Sequence, residues 1–298
     1  YSYSPLPQWS SLSKNNIPND VFTSIRHFLT RAVSKRLMSD RPLGCLLSGG
    51  LDSSLITSIV VRELRRTHPE AVVETFSIGL PGSPDLDYAD TVAQFLGTRH
   101  HRVEVSEQDF FQAIPEVIYA MESYDTTTIR ASVGNYLIGK YIKQHTDCTV
   151  IFNGDGSDEQ SGYLYLQNAP SDKDFQDECV QLLKDIYLFD VLRSDRSLSS
   201  QWSLETRTPF LDQDFVRFYM SLPPSWKTYS RERIEKYLLR QSFDVSVVGI
   251  ENAYLPLEVL WRKKEAFSDG CSHHKRSWHE IVEEYVDRKV SDHEFQSF

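Results

Sequence analysis

The sequence predicts an α/β domain: a parallel sheet with helices on both faces and a helical C-terminal half. Two stretches carry that prediction. An apolar run, Leu43–Leu47, ends in Ser48-Gly49-Gly50-Leu51-Asp52-Ser53-Ser54 and passes into apolar, helix-compatible sequence up to Leu64. A second run, Cys148–Phe152, ends in Asn153-Gly154-Asp155-Gly156-Ser157-Asp158-Glu159. The first reads as a strand, a glycine loop and a helix, the second as a strand and a Gly-rich acidic loop, each loop at the carboxyl end of a strand.

Asp20–Met38 opens the pattern as a helix: Asn19 or Asp20 caps it, and Val21, Ile25, Phe28, Leu29, Ala32 and Val33 keep helical spacing. Leu43–Leu47 is the first strand, and its loop has the makings of a phosphate cradle. Gly49 and Gly50 lack a Cβ and let a ligand approach the backbone. The free N–H groups and dipole of the next helix favour an anion, and Ser48, Ser53 and Ser54 add hydroxyl donors. No Gly-Lys-Ser/Thr follows, so this is not a Walker loop. Asp52 is unusual in an anion site, and its simplest role is to hold Mg²⁺ against the phosphates. The competing reading is an ordinary glycine turn capped by Asp or Ser.

Val72–Ile78, rich in β-branched residues, is the second strand. Gly79–Asp87 is a Pro/Gly turn, and Tyr88–Phe95 a helix closed by Gly97. His101–Val105 is the third strand; His100 and His101 point to opposite faces, which argues for structural roles over a metal site. Asp109–Tyr119 is an amphipathic helix. Tyr124–Ser132 is polar and precedes a helix at Val133–Ile142, so Thr127, Thr128 and Arg130 fall just before it. Arg130 suits a carboxylate or phosphate; a capping threonine beside a surface arginine is the alternative.

Cys148–Phe152 is the fourth strand. Three acidic side chains in its loop would repel a triphosphate without Mg²⁺, and Asp158, with Asp52, is the candidate ligand. Phe175–Leu192 then carries one long apolar stripe, with Asp190 and Arg193 as an i,i+3 pair at its end. Phe243–Pro256 receives no assignment. Cys271-Ser272-His273-His274 has poor zinc geometry and reads as a loop.

The bulk numbers narrow the function classes. At 298 residues, 40% hydrophobic and 25% charged, the chain has ordinary globular composition. A net charge of −10 argues against nucleic acid or an anionic membrane as a partner. Four cysteines without paired spacing suit a reducing compartment, and no apolar run is long enough to span a bilayer, so a cytoplasmic protein is expected.

Ser48–Ser54 resembles the pyrophosphate loop of the ATP pyrophosphatases, which cleave ATP between the α and β phosphates. The wider chain resembles the synthetase domain of the glutamine-hydrolysing asparagine synthetases. The resemblance runs through Gly44–Ser54, Phe76–Leu86, Glu122–Ser132, Asn153–Glu159, Arg207–Asp212 and Trp261–Gly270, in the family's order. It implies an adenine nucleotide α-hydrolase-like domain over 17–298 and strand order 3-2-1-4 with a fifth strand added, while residues 1–16, polar and Pro/Ser-rich, read as a linker or arm.

The same resemblance implies backbone contacts to adenine near Leu46 and Ile78, and to ATP at Asn153 and Gly154. It implies that Asp155 is required for acyl-adenylate formation, that the Arg130 segment lies in the active site, and that Lys264 reaches the phosphates. Substrates would be ATP with Mg²⁺, aspartate, and ammonia from a glutaminase domain or a separate source; a homodimer is a further expectation. The family's usual Ser-Gly-Glu-Gly-Ser-Asp-Glu is here Asn153-Gly154-Asp155-Gly156-Ser157-Asp158-Glu159. Asp155 is shorter by one methylene, roughly 1.5 Å of reach. A misplacement of that size can cost on the order of a hundredfold in rate. A non-catalytic nucleotide-binding homologue and a related amide- or lactam-forming synthetase therefore stand as alternatives.

Overall fold

A computed structural model describes residues 16–228, 233–247, 249–263 and 284. The arm, Lys264 and the Cys271–His274 stretch lie outside the described residues, apart from Asn16.

All the strands run parallel, in the order β3-β2-β1-β4-β5. They are β1 (Leu43–Leu46), β2 (Glu74–Gly79), β3 (Arg99–Glu104), β4 (Val150–Phe152) and β5 (Glu205–Arg207). The expected 3-2-1-4 order holds, and β5 is the fifth strand. The order reverses at β1 and β4, which pair Leu43 with Val150 and Cys45 with Phe152. Their carboxyl ends therefore open side by side, the place where open α/β sheets bind ligands.

Helices cover both faces. On one, α1 (Asn19–Ser34) and α2 (Leu51–Thr67) bury Ile25, Leu29, Leu55 and Ile59 against α11 (Tyr237–Ser242) and α12 (Leu257–Leu260). On the other, α5 (Thr126–His145) packs Ile138 and Ile142 over Phe76, Ile151 and Leu198. The unassigned 243–256 stretch proves to be packed chain. Phe243, Val247 and Leu255 join the first core, and Ser58 Oγ donates to the Tyr254 carbonyl at 2.6 Å.

Several expected boundaries move, each for a local reason. α1 stops at Ser34 rather than Met38, because Val33 is its last buried apolar residue and Met38 is exposed. β2 begins at Glu74, where pairing with Arg99 begins, and Val72 is left exposed. α4 (Glu107–Met121) starts earlier than expected because Ser106 and Asp109 form a reciprocal capping box. α5 starts at Thr126, since the Asp125 carboxylate caps it by accepting from Thr128 N at 2.7 Å. Thr127, Thr128 and Arg130 thus lie within the helix, not before it. The long Phe175–Leu192 helix breaks: α7 (Asp172–Asp185) ends in a 3₁₀ turn at Ile186–Leu188, and α8 (Asp190–Ser194) follows. The apolar stripe fails there, with Tyr187 and Leu188 exposed.

The two adjacent histidines are structural, as expected. His100 hydrogen-bonds to Thr75 Oγ1 at 2.9 Å and Ser77 Oγ at 3.0 Å, while His101 stacks on Phe76 and meets Glu74 at 2.9 Å.

Lys227, at the end of α10 (Pro224–Lys227), is fully buried. Its ammonium donates to the neutral Gln176 Oε1 at 2.6 Å, and burial pushes its pKa down to about 8. Below that pH the charge is buried in the folded state, so its cost is present in full. Between about 8 and 10.5 the unfolded chain still holds the proton that the folded protein has lost, and stability rises. The full effect is on the order of 3 kcal/mol. Lys227→Met is expected to flatten this rise, read from urea midpoints measured across that pH range.

Candidate nucleotide site

The first glycine loop is fixed by packing and by its own hydroxyls. Gly49 adopts φ +71°, and a Cβ there would lie 2.6 Å from the Asp85 carbonyl oxygen and 2.8 Å from Ala89 N on α3 (Pro84–Leu96). Only glycine fits that position. Ser53 Oγ accepts from Ser48 N at 3.2 Å and lies 3.0 Å from Ser48 Oγ, which accepts from Gly50 N at 3.4 Å. Gly50 is the N-cap of α2 and brings no side-chain cap, so the first N–H groups of the helix remain for an anion.

Ser54 stands apart from Ser48 and Ser53, whose hydroxyls bond to each other. It is fully buried on the face of α2 shared with Leu51 and Leu55, and its hydroxyl has no hydrogen-bond partner among the described residues. Leu46 and Ile78 end neighbouring strands β1 and β2. The Leu47 N–H donates to the Phe76 carbonyl at 2.8 Å, which carries the strand pairing up to the loop.

The second loop closes directly on the first. A Cβ on Gly154 would meet Ser53 N at 2.8 Å and Asp52 Cβ at 3.0 Å. Ser157, the first residue of α6 (Ser157–Ser161), donates to Asp52 Oδ1 at 2.8 Å. The Asn153 N–H is already given to the Arg207 carbonyl at 3.1 Å, which directs any nucleotide contact there to the Asn153 carbonyl. The Asp155 carboxylate accepts from Asn153 Nδ2 at 2.7 Å and from Ser194 Oγ.

The structure does bring Asp52 and Asp158 together, through a residue that the sequence did not single out. Lys236 Nζ lies 2.5 Å from Asp52 Oδ2 and 2.7 Å from Asp158 Oδ1. Its side chain is 1% exposed, whereas the two carboxylates are 21% and 23% exposed. Burial opposes the charge on Lys236, but Asp158 and Asp52 outweigh it and hold the ammonium protonated above the ordinary lysine range. A lysine in the Arg233-Ile234-Glu235-Lys236 run reads as solvated, and nothing local in the sequence marks it as buried.

Arg262 is the other residue missed. It donates to the Gly49 carbonyl at 3.2 Å, pairs with Asp85 at 2.8 Å and lies 4.0 Å from the Tyr88 ring. Arg130 sits in the second turn of α5, with its Nε buried and unpaired among the described residues. An unsatisfied buried guanidinium N–H is costly unless a ligand accepts it.

For magnesium, the donor set fits. Asp52 and Asp158 are hard carboxylate donors at the site's rim, and Mg²⁺ characteristically takes one or two carboxylates and completes its shell with phosphates and water. Ser157 and Lys236 engage these carboxylates in this structure, so Mg²⁺ would have to share them with the ammonium. Among the described residues no group of three or more His, Cys, Asp or Glu forms a self-sufficient metal cage.

Fold and site together define a parallel α/β domain whose two glycine loops meet at the sheet's switch point. Residues 24–174 and 161–297 match the family profile described as Asparagine synthase, and the chain belongs to that family. It is 47% identical to "Asparagine synthetase [glutamine-hydrolyzing]" of Cricetulus griseus and 46% identical to that of Homo sapiens, over 273 residues and 91% of this chain. The match to the Gallus gallus protein of the same name is 47% over the same length. The chain spans about half the length of these relatives, 47% of each.

The tight seam between the loops has a direct test. Gly154→Ala places a methyl group against Ser53 N and Asp52, backbone and Cβ that cannot swing aside. A loss of about 1–3 kcal/mol is expected. Gly50→Ala meets only Ser48 Oγ at 3.4 Å and is expected to be nearly neutral. Chemical denaturation of the two variants reads the contrast.

Proposed function

We propose that this chain catalyses the ATP-dependent synthesis of asparagine from aspartate and ammonia. The side-chain carboxylate of aspartate attacks the α-phosphate of ATP, forming β-aspartyl-AMP and releasing pyrophosphate. Ammonia then attacks the activated carbonyl, giving asparagine and AMP. The observation that carries the reading is the meeting of two glycine loops at β1 and β4, bound together through Asp52, Ser157, Asp158 and Lys236. The family membership of the chain supports the choice of reaction.

Each residue has work in this scheme. Backbone at Leu46 and Ile78 holds the adenine, and Ser48, Gly49, Gly50 and Ser53 with the start of α2 receive the β and γ phosphates. The Asn153 carbonyl and Gly154 complete the nucleotide contacts. Asp52 and Asp158 would hold Mg²⁺, which would supply charge neutralisation at the pyrophosphate. Lys236 keeps those carboxylates from facing the phosphates uncompensated. Arg130 receives a carboxylate of aspartate, and Asp155 orients the acyl group for adenylation. Lys264 adds positive charge at the leaving group. It follows Arg262, which is anchored on Gly49, by two positions in the sequence. Nitrogen comes from free ammonia or from a glutaminase partner.

The test is pyrophosphate release. The enzyme is expected to release pyrophosphate only with ATP, Mg²⁺ and aspartate together, and to form asparagine once ammonium is added. ATP binding without pyrophosphate release for any amino acid contradicts the proposal and leaves a nucleotide-binding module. Release driven by another acid identifies a related amide-forming synthetase.

A further inference from the structure

Asn153 and Asp155, the two positions at which the resemblance sets the loop after β4 apart, have their side chains in contact. Asn153 Nδ2 donates to Asp155 Oδ2 at 2.7 Å, and Asp155 N donates back to Asn153 Oδ1 at 3.3 Å. Ser194, at the end of α8, joins them: its hydroxyl donates to the same Asp155 Oδ2, and Asn153 Nδ2 lies 3.3 Å from it. Asn153 is 3% exposed and Ser194 2% exposed, so this is a built, largely dry arrangement. In such surroundings two donors on one carboxylate oxygen fix its position firmly.

We propose that Asn153 and Ser194 are positioning residues for Asp155, and that Asn153 compensates for the shortened acid. A serine at 153 would not extend its donor as far as the asparagine amide does. A glutamate at 155 would drive its carboxylate, about 1.5 Å further out, into that amide. The long donor and the short acid are therefore matched to each other, and either change alone breaks the match. This inference rests on the reading of Asp155 as the residue that orients the acyl group.

A double-mutant cycle tests it on the full chain with Asn153→Ser, Asp155→Glu and the double variant. Three readouts are taken for each: ATP affinity by equilibrium binding, kcat and KM for aspartate-dependent pyrophosphate release, and the unfolding midpoint. Each single change is expected to lower kcat by about ten- to a hundredfold, with ATP affinity held within about threefold. The double variant is expected to recover to within about fivefold of the parent, far from the product of the two losses. A structural defect alone would not show this rescue in kcat at constant ATP affinity. Losses that multiply in the double variant, or single variants with unchanged kcat, overturn the proposal. If the parent protein releases no pyrophosphate, the enzymatic reading fails instead, and the clamp is judged by the unfolding midpoints. Non-additive shifts then uphold the Asn153–Asp155 match, and additive shifts overturn it.

Discussion

The site depends on one buried ammonium. Lys236 stands between Asp52, on the helix after the first loop, and Asp158, on the helix after the second. Two carboxylates at the mouth of an anion cradle repel each other and any phosphate, and a charged lysine resolves both conflicts at once. The arrangement is costly to build. Lys236 takes a left-handed backbone conformation, φ +58°, at roughly 1–2 kcal/mol for a non-glycine residue. It also buries its charge. What holds it is the chain on either side: Arg240 pairs with Glu235, and donates to the Leu260 carbonyl at 2.6 Å and the Glu235 carbonyl at 2.8 Å. This side-chain lattice fixes the start of α11 against α12, and through it the ammonium against the loops.

Around that charge the loops meet as closely as backbone allows. Gly49 lies against α3, Gly154 against the first turn of α2, and Gly156, at φ +90°, against Leu211. Two of these contacts leave no room for a Cβ, because the opposing atoms are backbone. Such packing presents N–H groups at fixed positions, and preorganised donors of this kind stabilise developing charge without reorganisation. Arg262 extends the same logic to the chain after α12, through its bond to the Gly49 carbonyl.

How much of this the sequence revealed follows from the range of each interaction. The two glycine loops were legible because the signal is local: an apolar run, glycines, then a helix-compatible stretch. The histidine pair was legible for the same reason, through strand alternation. The start of α5 is set by the Asp125 cap, a single carboxylate in a polar stretch where apolar spacing marks no boundary. The break after α7 and the burial of Ser54 depend on which face meets the core, which spacing alone does not decide. Lys236 and Arg262 were invisible. Their partners lie 184 and 213 residues away in the chain, at Asp52 and Gly49, and a lysine among charged neighbours carries no mark of burial. Likewise, Asn153 and Asp155 read as two separate departures until the fold showed them hydrogen-bonded.

The central claim is that Lys236 makes the acidic mouth of the cradle compatible with a nucleotide. The most direct measurement is the equilibrium affinity of Lys236→Met for ATP with Mg²⁺, alongside an unfolding curve that establishes a cooperative fold. The account predicts a folded variant that binds ATP about tenfold or more weakly than the parent. A folded Lys236→Met protein with undiminished ATP affinity would contradict it.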